Sequence, residues 1–148
     1  MASDAPADAP HPGDPVPVDH VEVGLPEDAR AAGVARRVVD STLDRWNLGQ
    51  LLDRTLLVVS ELTANAVRHG GPPVRLVLRR FDSHLRVSVH DRASEPPRPA
   101  PTEVPTDATS GRGMVLVGAT SDGNGVTQIP GDGKEVWAEL KLDPDEKA

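Results

Sequence analysis

Leu57-Val58-Val59-Ser60-Glu61-Leu62-Thr63-Ala64-Asn65-Ala66-Val67-Arg68-His69-Gly70-Gly71 is the stretch on which the fold turns. Leu52, Leu56, Val59, Leu62 and Ala66 recur at helical spacing, and the run stops at Gly70-Gly71-Pro72-Pro73, which predicts an amphipathic helix. At about 100° per residue, Glu61, Asn65 and Arg68 fall within one narrow arc opposite that apolar face. The arc has two readings. It is a solvated face, as most polar stripes are, or it is a site. Leu57 and Val58 flank it one turn earlier, and a carboxylate and a carboxamide one turn apart suit a hydrated Mg²⁺ and an oriented nucleophile.

The chain around this helix has 148 residues, the size of one domain with a single core. With 37% hydrophobic and only 2% aromatic residues, that core is built of Val, Leu and Ala. A net charge of −7 argues against a nucleic-acid or anionic-membrane surface, because both need a basic patch. Without cysteine there is neither a disulfide frame nor a thiolate metal site. Met1 to about Asp19 is Ala, Asp and Pro, with almost nothing to bury, and is expected to be a disordered tail before a domain spanning residues 20–148. The amino terminus lacks a cationic start, and no run approaches the ~20 apolar residues of a membrane span. A soluble, cytoplasmic protein is the expectation.

Val21, Val23 and Leu25 alternate with Glu22 and Gly24, a short strand with one buried face. Pro26-Glu27-Asp28 reads as a helix start. That helix runs to about Trp46, with Val34, Val38, Val39, Leu43 and Trp46 inward, and ends at Asn47-Leu48-Gly49. After the Glu61 helix come two alternating strands, Val74 to Arg79 and Leu85 to His90, joined by a tight turn at Asp82-Ser83. Their phase puts Asp91 on the apolar side at a strand end. An isolated carboxylate there would be desolvated and would tend to take up a proton. Either it caps the following turn, or it awaits a hydrogen-bond donor such as a ligand amine. Arg92 to Ser110 has no periodicity, and a loop of that length is a functional lid or is disordered. It closes on Gly111-Arg112-Gly113-Met114, which opens a short helix through Val115, Leu116, Val117 and Ala119. Glycines at a helix amino terminus let backbone N–H groups approach phosphate oxygens, although packing explains most such pairs. Asp122 to Gly125 reads as a turn into a strand at Val126 to Ile129, Pro130 to Gly133 as another turn, and Glu135 to Leu142 as the last strand. The order β-α-α-β-β-loop-α-β-β, with strands apolar on one face, gives an α/β two-layer sandwich: a mixed, mostly antiparallel sheet with helices on one face.

With Glu61, Asn65, Asp91 and Gly111-Arg112-Gly113 in that order, the chain resembles the histidine-kinase-like ATPase (GHKL, or Bergerat-fold) superfamily over roughly Val21 to Leu142. Ser60 to Gly70 looks like its N box, Val89-His90-Asp91 like the start of its G1 box, and Gly111-Arg112-Gly113-Met114 like its G2 box. The ending Gly133-Lys134-Glu135-Val136-Trp137-Ala138-Glu139-Leu140 is similar to that of the single-domain anti-sigma-factor serine/threonine kinases. The resemblance implies ATP and Mg²⁺ as cofactors. It makes Asn65 the Mg²⁺ ligand, Asp91 the acceptor of the adenine amino group, and Glu61 the general base on a partner's hydroxyl. Arg92 to Ser110 becomes the ATP lid, with Gly111, Arg112, Gly113 and Met114 lining the phosphates. Arg68 and Arg112 are read either as hydrogen-bond donors to the phosphates or as ordinary surface charges.

The partners so implied are an anti-anti-sigma (STAS-type) protein and a sigma factor, with a homodimer as an open oligomeric form. Three positions depart from the family pattern. Asp91-Arg92-Ala93-Ser94 lacks glycines, Thr109 stands where a basic residue is common, and Gly133-Lys134-Glu135 lacks the threonine many relatives carry after the turn glycine. They weigh on phosphotransfer more than on nucleotide binding, and leave a non-catalytic ATP-binding module as the alternative. A sensor histidine kinase is disfavoured, since no long helix carries a phosphoacceptor histidine. A zinc site of His84, His90 and Asp91 fails on distance, at ~3.3 Å of strand per residue.

Overall fold

The computed structural model describes residues 16–93, 117 and 120–142. In chain order these form β1 (Asp19–Leu25), α1 (Arg30–Arg45), a short 3-10 turn (Gly49–Leu51), α2 (Leu52–His69), β2 (Val74–Arg80), β3 (His84–Asp91), β4 (Gly123–Gln128) and β5 (Lys134–Lys141). The five strands make one sheet in the order β1-β2-β3-β5-β4, antiparallel at every described pairing. The architecture is the expected α/β one of helices with a largely antiparallel sheet.

Strand alternation sorts the side chains by face. Leu76, Leu78, Leu85, Val87, Val89, Val136, Ala138 and Leu140 line one side and form the core with Val39, Leu43, Val59 and Leu62 of the helices. The register stacks them as cross-strand ladders, Leu76 beside Val89 beside Val136, and Leu78 beside Val87 beside Ala138. The other side carries charge. Arg75 pairs with Glu22, Arg79 with Glu135 at 3.8 Å, and Arg86 with Glu139 at 3.8 Å, while the Arg86 guanidinium lies 4.3 Å from the Trp137 ring centroid. Arg79 and Glu135 are buried there.

Helix α1 starts later than the Pro26-Glu27-Asp28 signal suggests. Asp28 stands ahead of it as a hook, its Oδ1 accepting the Arg30 backbone N–H at 2.9 Å. Its buried line is Ala31, Ala35, Val39, Thr42 and Leu43, with Trp46 at the end. Val34 and Val38, expected inward, are only partly buried against that line, because the small alanines take the closest approach. The helix stops as predicted. Asn47 adopts a left-handed φ of 59°, Leu48 N–H reaches back to Leu43 O at 2.8 Å and Asn47 N–H to Asp44 O at 3.1 Å. This is a Schellman end, with the buried Leu48 packing behind it.

Two boundaries shift. Asp19, expected in the tail, opens β1, and Val18 N–H donates to Arg80 O on the neighbouring strand. The glycine-rich Gly123-Asn124-Gly125, expected as a turn, belongs to β4. The reason is Trp137. A Cβ on Gly125 would stand 2.6 Å from the indole ring, so the glycine makes room for the tryptophan across the strand pair. The β2–β3 connection is the expected tight turn at Asp82-Ser83, closed by Phe81 N–H to His84 O at 2.8 Å.

Candidate functional site

Helix α2 is held at both ends. Near its start the Arg54 guanidinium donates to Thr120 O at 2.9 Å and pairs with Asp122 Oδ2 at 3.1 Å. Asp122 Oδ2 also accepts the Lys141 N–H at 2.8 Å. That backbone bond, and then Arg54, hold the Asp122 carboxyl below the usual carboxylate range against the opposing effect of burial. In between, α2 buries Thr55, Val58, Val59, Leu62, Thr63 and Ala66.

This buried set changes the geometry of the polar arc. Thr55 sits in the core because its hydroxyl donates to Leu51 O at 2.7 Å, and with Thr63 and Val58 it moves the centre of the face. Leu52 and Leu56 are only partly buried. Glu61 and Asn65 therefore lie at the shoulder of the face beside Val58, half-buried, rather than opposite it. Arg68 is exposed, and Leu57 is 38% exposed. An apolar-letter count misplaces the face because it leaves out the buried threonines, of which Thr55 satisfies its hydroxyl within the helix.

At its far end α2 runs into the end of β3. Gly70 N–H caps the helix on Ala66 O at 2.8 Å, and Arg92 N–H donates to Gly71 O at 2.7 Å. A Cβ on Gly70 would stand 2.6 Å from Asp91 Cγ. The Gly-Gly stop is thus also the place where helix and strand close on each other. Asn65 lies five residues back, roughly 7 Å along the axis from that contact at 1.5 Å per residue.

Asp91 is on the buried side at the strand end, as the alternation predicts, and is 1% exposed. It is not isolated. Its Oδ1 accepts the Ala93 backbone N–H at 2.9 Å, which caps the following turn, and the Lys134 ammonium at 2.8 Å. The Lys134 side chain is 3% exposed. This lysine is the participant that reading the sequence overlooked, although a signal existed. It has the parity of Val136, Ala138 and Leu140, so it belongs to the core face, and the register sets it directly across from Asp91. Gly133 makes the approach possible: its φ is 80°, and a Cβ there would stand 2.0 Å from Asp91 O. On the opposite face His90 Nε2 lies 2.8 Å from Asp132 O, and Arg92 pairs with Asp132 at 3.3 Å, tying the same turn to the strand end.

Gly111, Arg112, Gly113 and Met114 lie outside the described residues, as does nearly all of the expected lid. Of the helix that follows, Val117 and Thr120 are described; Val117 is helical and buried, and Ser121 N–H donates to its carbonyl at 2.9 Å. Among the described residues no group of three or more His, Cys, Asp or Glu gathers to hold a metal. Glu61 and Asn65 offer one anionic and one neutral oxygen donor on the same shoulder. Such a sparse set fits Mg²⁺ that arrives with phosphate and water ligands rather than a resident ion. No described helix is long and apolar enough to cross a membrane.

The family profile described as "Histidine kinase-like ATPase domain" matches residues 25–140. Among solved structures, the RsbU and RsbW domains of Rv1364c from Mycobacterium tuberculosis match with a TM-score of 0.60 at 18% identity, over 85% of this chain and 33% of that one. This chain therefore spans about a third of that protein's length, and the likeness is one of fold. Among curated proteins none matches this sequence.

Proposed function

Since this chain belongs to the histidine kinase-like ATPase domain family, we propose that it binds Mg²⁺–ATP between α2 and the β3 end and acts as an anti-sigma-factor-like protein serine/threonine kinase. The observation that supports this reading most is the closure of α2 on the strand end: the helix bearing Glu61 and Asn65 ends against Asp91 at Gly70. In this reading Asn65 would hold the Mg²⁺ that arrives with the phosphates, and Asp91 would lie at the adenine amino group. Gly111, Arg112, Gly113 and Met114 line the phosphates, with Arg68 at the margin.

Bound Mg²⁺–ATP would supply the phosphoryl group with its charge neutralised, and Glu61 would take the proton of a partner seryl or threonyl hydroxyl as its oxygen bonds to the γ-phosphorus and ADP leaves. Glu61 is half-buried at the rim of the helix face, so a partner's loop can reach it. The partner class is a STAS-type anti-anti-sigma protein, and a sigma factor is the target for sequestration. Fold likeness alone does not fix this chemistry. Calorimetry with ATP and ADP, with and without Mg²⁺, followed by phosphotransfer to a STAS-type protein, tests the two parts separately. Absence of Mg²⁺-dependent nucleotide binding would overturn the reading.

A second reading has its own observation. Asp91 is engaged by Lys134, and its turn lacks glycines, which favours a module that binds partner and nucleotide without useful turnover. Binding without phosphotransfer is the result that would select it.

A further inference from the structure

We infer that Lys134 is the specificity-determining residue of this site, an internal cation that holds the acid otherwise left for a purine's exocyclic amine. The inference rests on the ATP-binding reading for the location of the base and goes beyond it in what the base is recognised by. Lys134 and Asp91 face each other across the β3–β5 pair, joined at 2.8 Å, with side chains 3% and 1% exposed. The same Asp91 oxygen also takes the Ala93 N–H. The second oxygen is walled by the helix end, since a methyl group on Gly70 would stand 2.7 Å from Oδ2. An incoming amine therefore competes with an ammonium for one carboxylate.

The competition is unequal. The lysine is tethered, carries a full charge and is already desolvated, whereas an aryl amine is neutral and brings a weaker hydrogen bond. Displacing the ammonium would leave it buried without its counter-charge, a state proteins avoid. So the nucleotide is held through its phosphates and the faces of its base, and the exocyclic amine contributes little. The lysine is placed there by strand phase rather than by chance of rotamer, because Lys134 shares the core-facing parity of Val136 and Ala138. Gly133, at a φ of 80°, brings the backbone close enough for the pair to form.

The test compares ATP with purine riboside triphosphate, which differs from ATP only in lacking the amine, by calorimetry with Mg²⁺. The parent chain is expected to bind the two within about threefold. Lys134→Thr and Lys134→Met, checked for folding by circular dichroism and thermal unfolding, are expected to gain at least about tenfold for ATP, equivalent to about 1.4 kcal/mol, and little for the analogue. A lysine with a merely structural role would shift both nucleotides together and leave their ratio unchanged. A parent that already prefers ATP tenfold overturns the inference while leaving ATP binding intact, and so does a folded variant whose ratio does not change. If neither variant folds, the parent's ratio decides alone. Binding of ATP by the variants with no binding of either nucleotide by the parent would overturn the inference, because the parent would then not hold a nucleotide through its phosphates and base faces. Failure of every chain to bind either nucleotide overturns both it and the proposed function.

Discussion

The two sides of the proposed pocket are built on opposite terms. On the helix side, Glu61 and Asn65 stand half-buried at the shoulder of α2, and among the described residues neither side chain is hydrogen-bonded. On the strand side, Asp91 is enclosed: a lysine and a backbone N–H share its Oδ1, and Gly70 and Gly133 press against it without side chains of their own. The difference follows from neighbours. A helix shoulder borders solvent, so its polar groups wait for a ligand at little cost. A carboxylate at the end of a central strand is desolvated and must have its charge matched within the fold. The first arrangement leaves its polar groups open to a ligand, while the second has its charge already matched inside the fold.

The strand side should break most severely. Gly133→Ala puts a Cβ into backbone atoms at a left-handed φ, and should cost about 2–5 kcal/mol in strain and overpacking, measured by urea unfolding. Retention of full stability would mean that the Gly133 turn does not lock Asp91. The helix side is expected to break in function and not in folding. Asn65→Ala should remove Mg²⁺-dependent ATP binding, a loss of about 2 kcal/mol or more, with the unfolding midpoint nearly unchanged. Glu61→Ala should keep binding and lose phosphotransfer, read by transfer of labelled phosphate to a STAS-type partner. Tight Mg²⁺–ATP binding by the Asn65 variant would remove the metal assignment.

Gly70→Ala joins the two sides. Its Cβ would meet Ala66 O at 2.6 Å and Asp91 Oδ2 at 2.7 Å, so a loss of about 1–3 kcal/mol is expected. Nucleotide affinity should fall along with it, because the helix end must back away from the acid.

The smallest effect lies at the start of α2. Asp122 has a depressed pKa in the fold, chiefly from the Lys141 N–H and then from Arg54. A depressed acid stabilises fully above its unfolded value of about 3.9. That contribution is lost as pH falls through the lower, folded value. Thermal unfolding between neutral and acid pH should show a modest loss on the acid limb that Asp122→Asn reduces. An identical acid limb in the variant would assign the loss elsewhere.

Much of this molecule is legible in the chain itself. The alternation in Val74 to Arg79 and Leu85 to Asp91 located the two central strands and put Asp91 on their buried side. Three- and four-residue spacing found α2, and Asn47 marked the end of α1. Errors arose where a letter's usual habit differs from its local role. Thr55 counts as polar but is satisfied by Leu51 O. Gly125 counts as a turn former but lies in a strand under Trp137. Asp28 counts as a first-turn acid but hooks the helix from outside.

What the sequence by itself determined is local: which segments alternate, which coil, and which side of each faces the core, because those follow from periods of two and 3.6 residues along one chain. What only the tertiary structure decided is who meets Asp91. Lys134 is 43 residues away in the chain, and Gly70 comes from a helix rather than a strand. Their meeting depends on the register of β3 against β5 and on where α2 stops, and both are set by packing between distant segments. A charge buried at such a junction takes the partner that the register delivers.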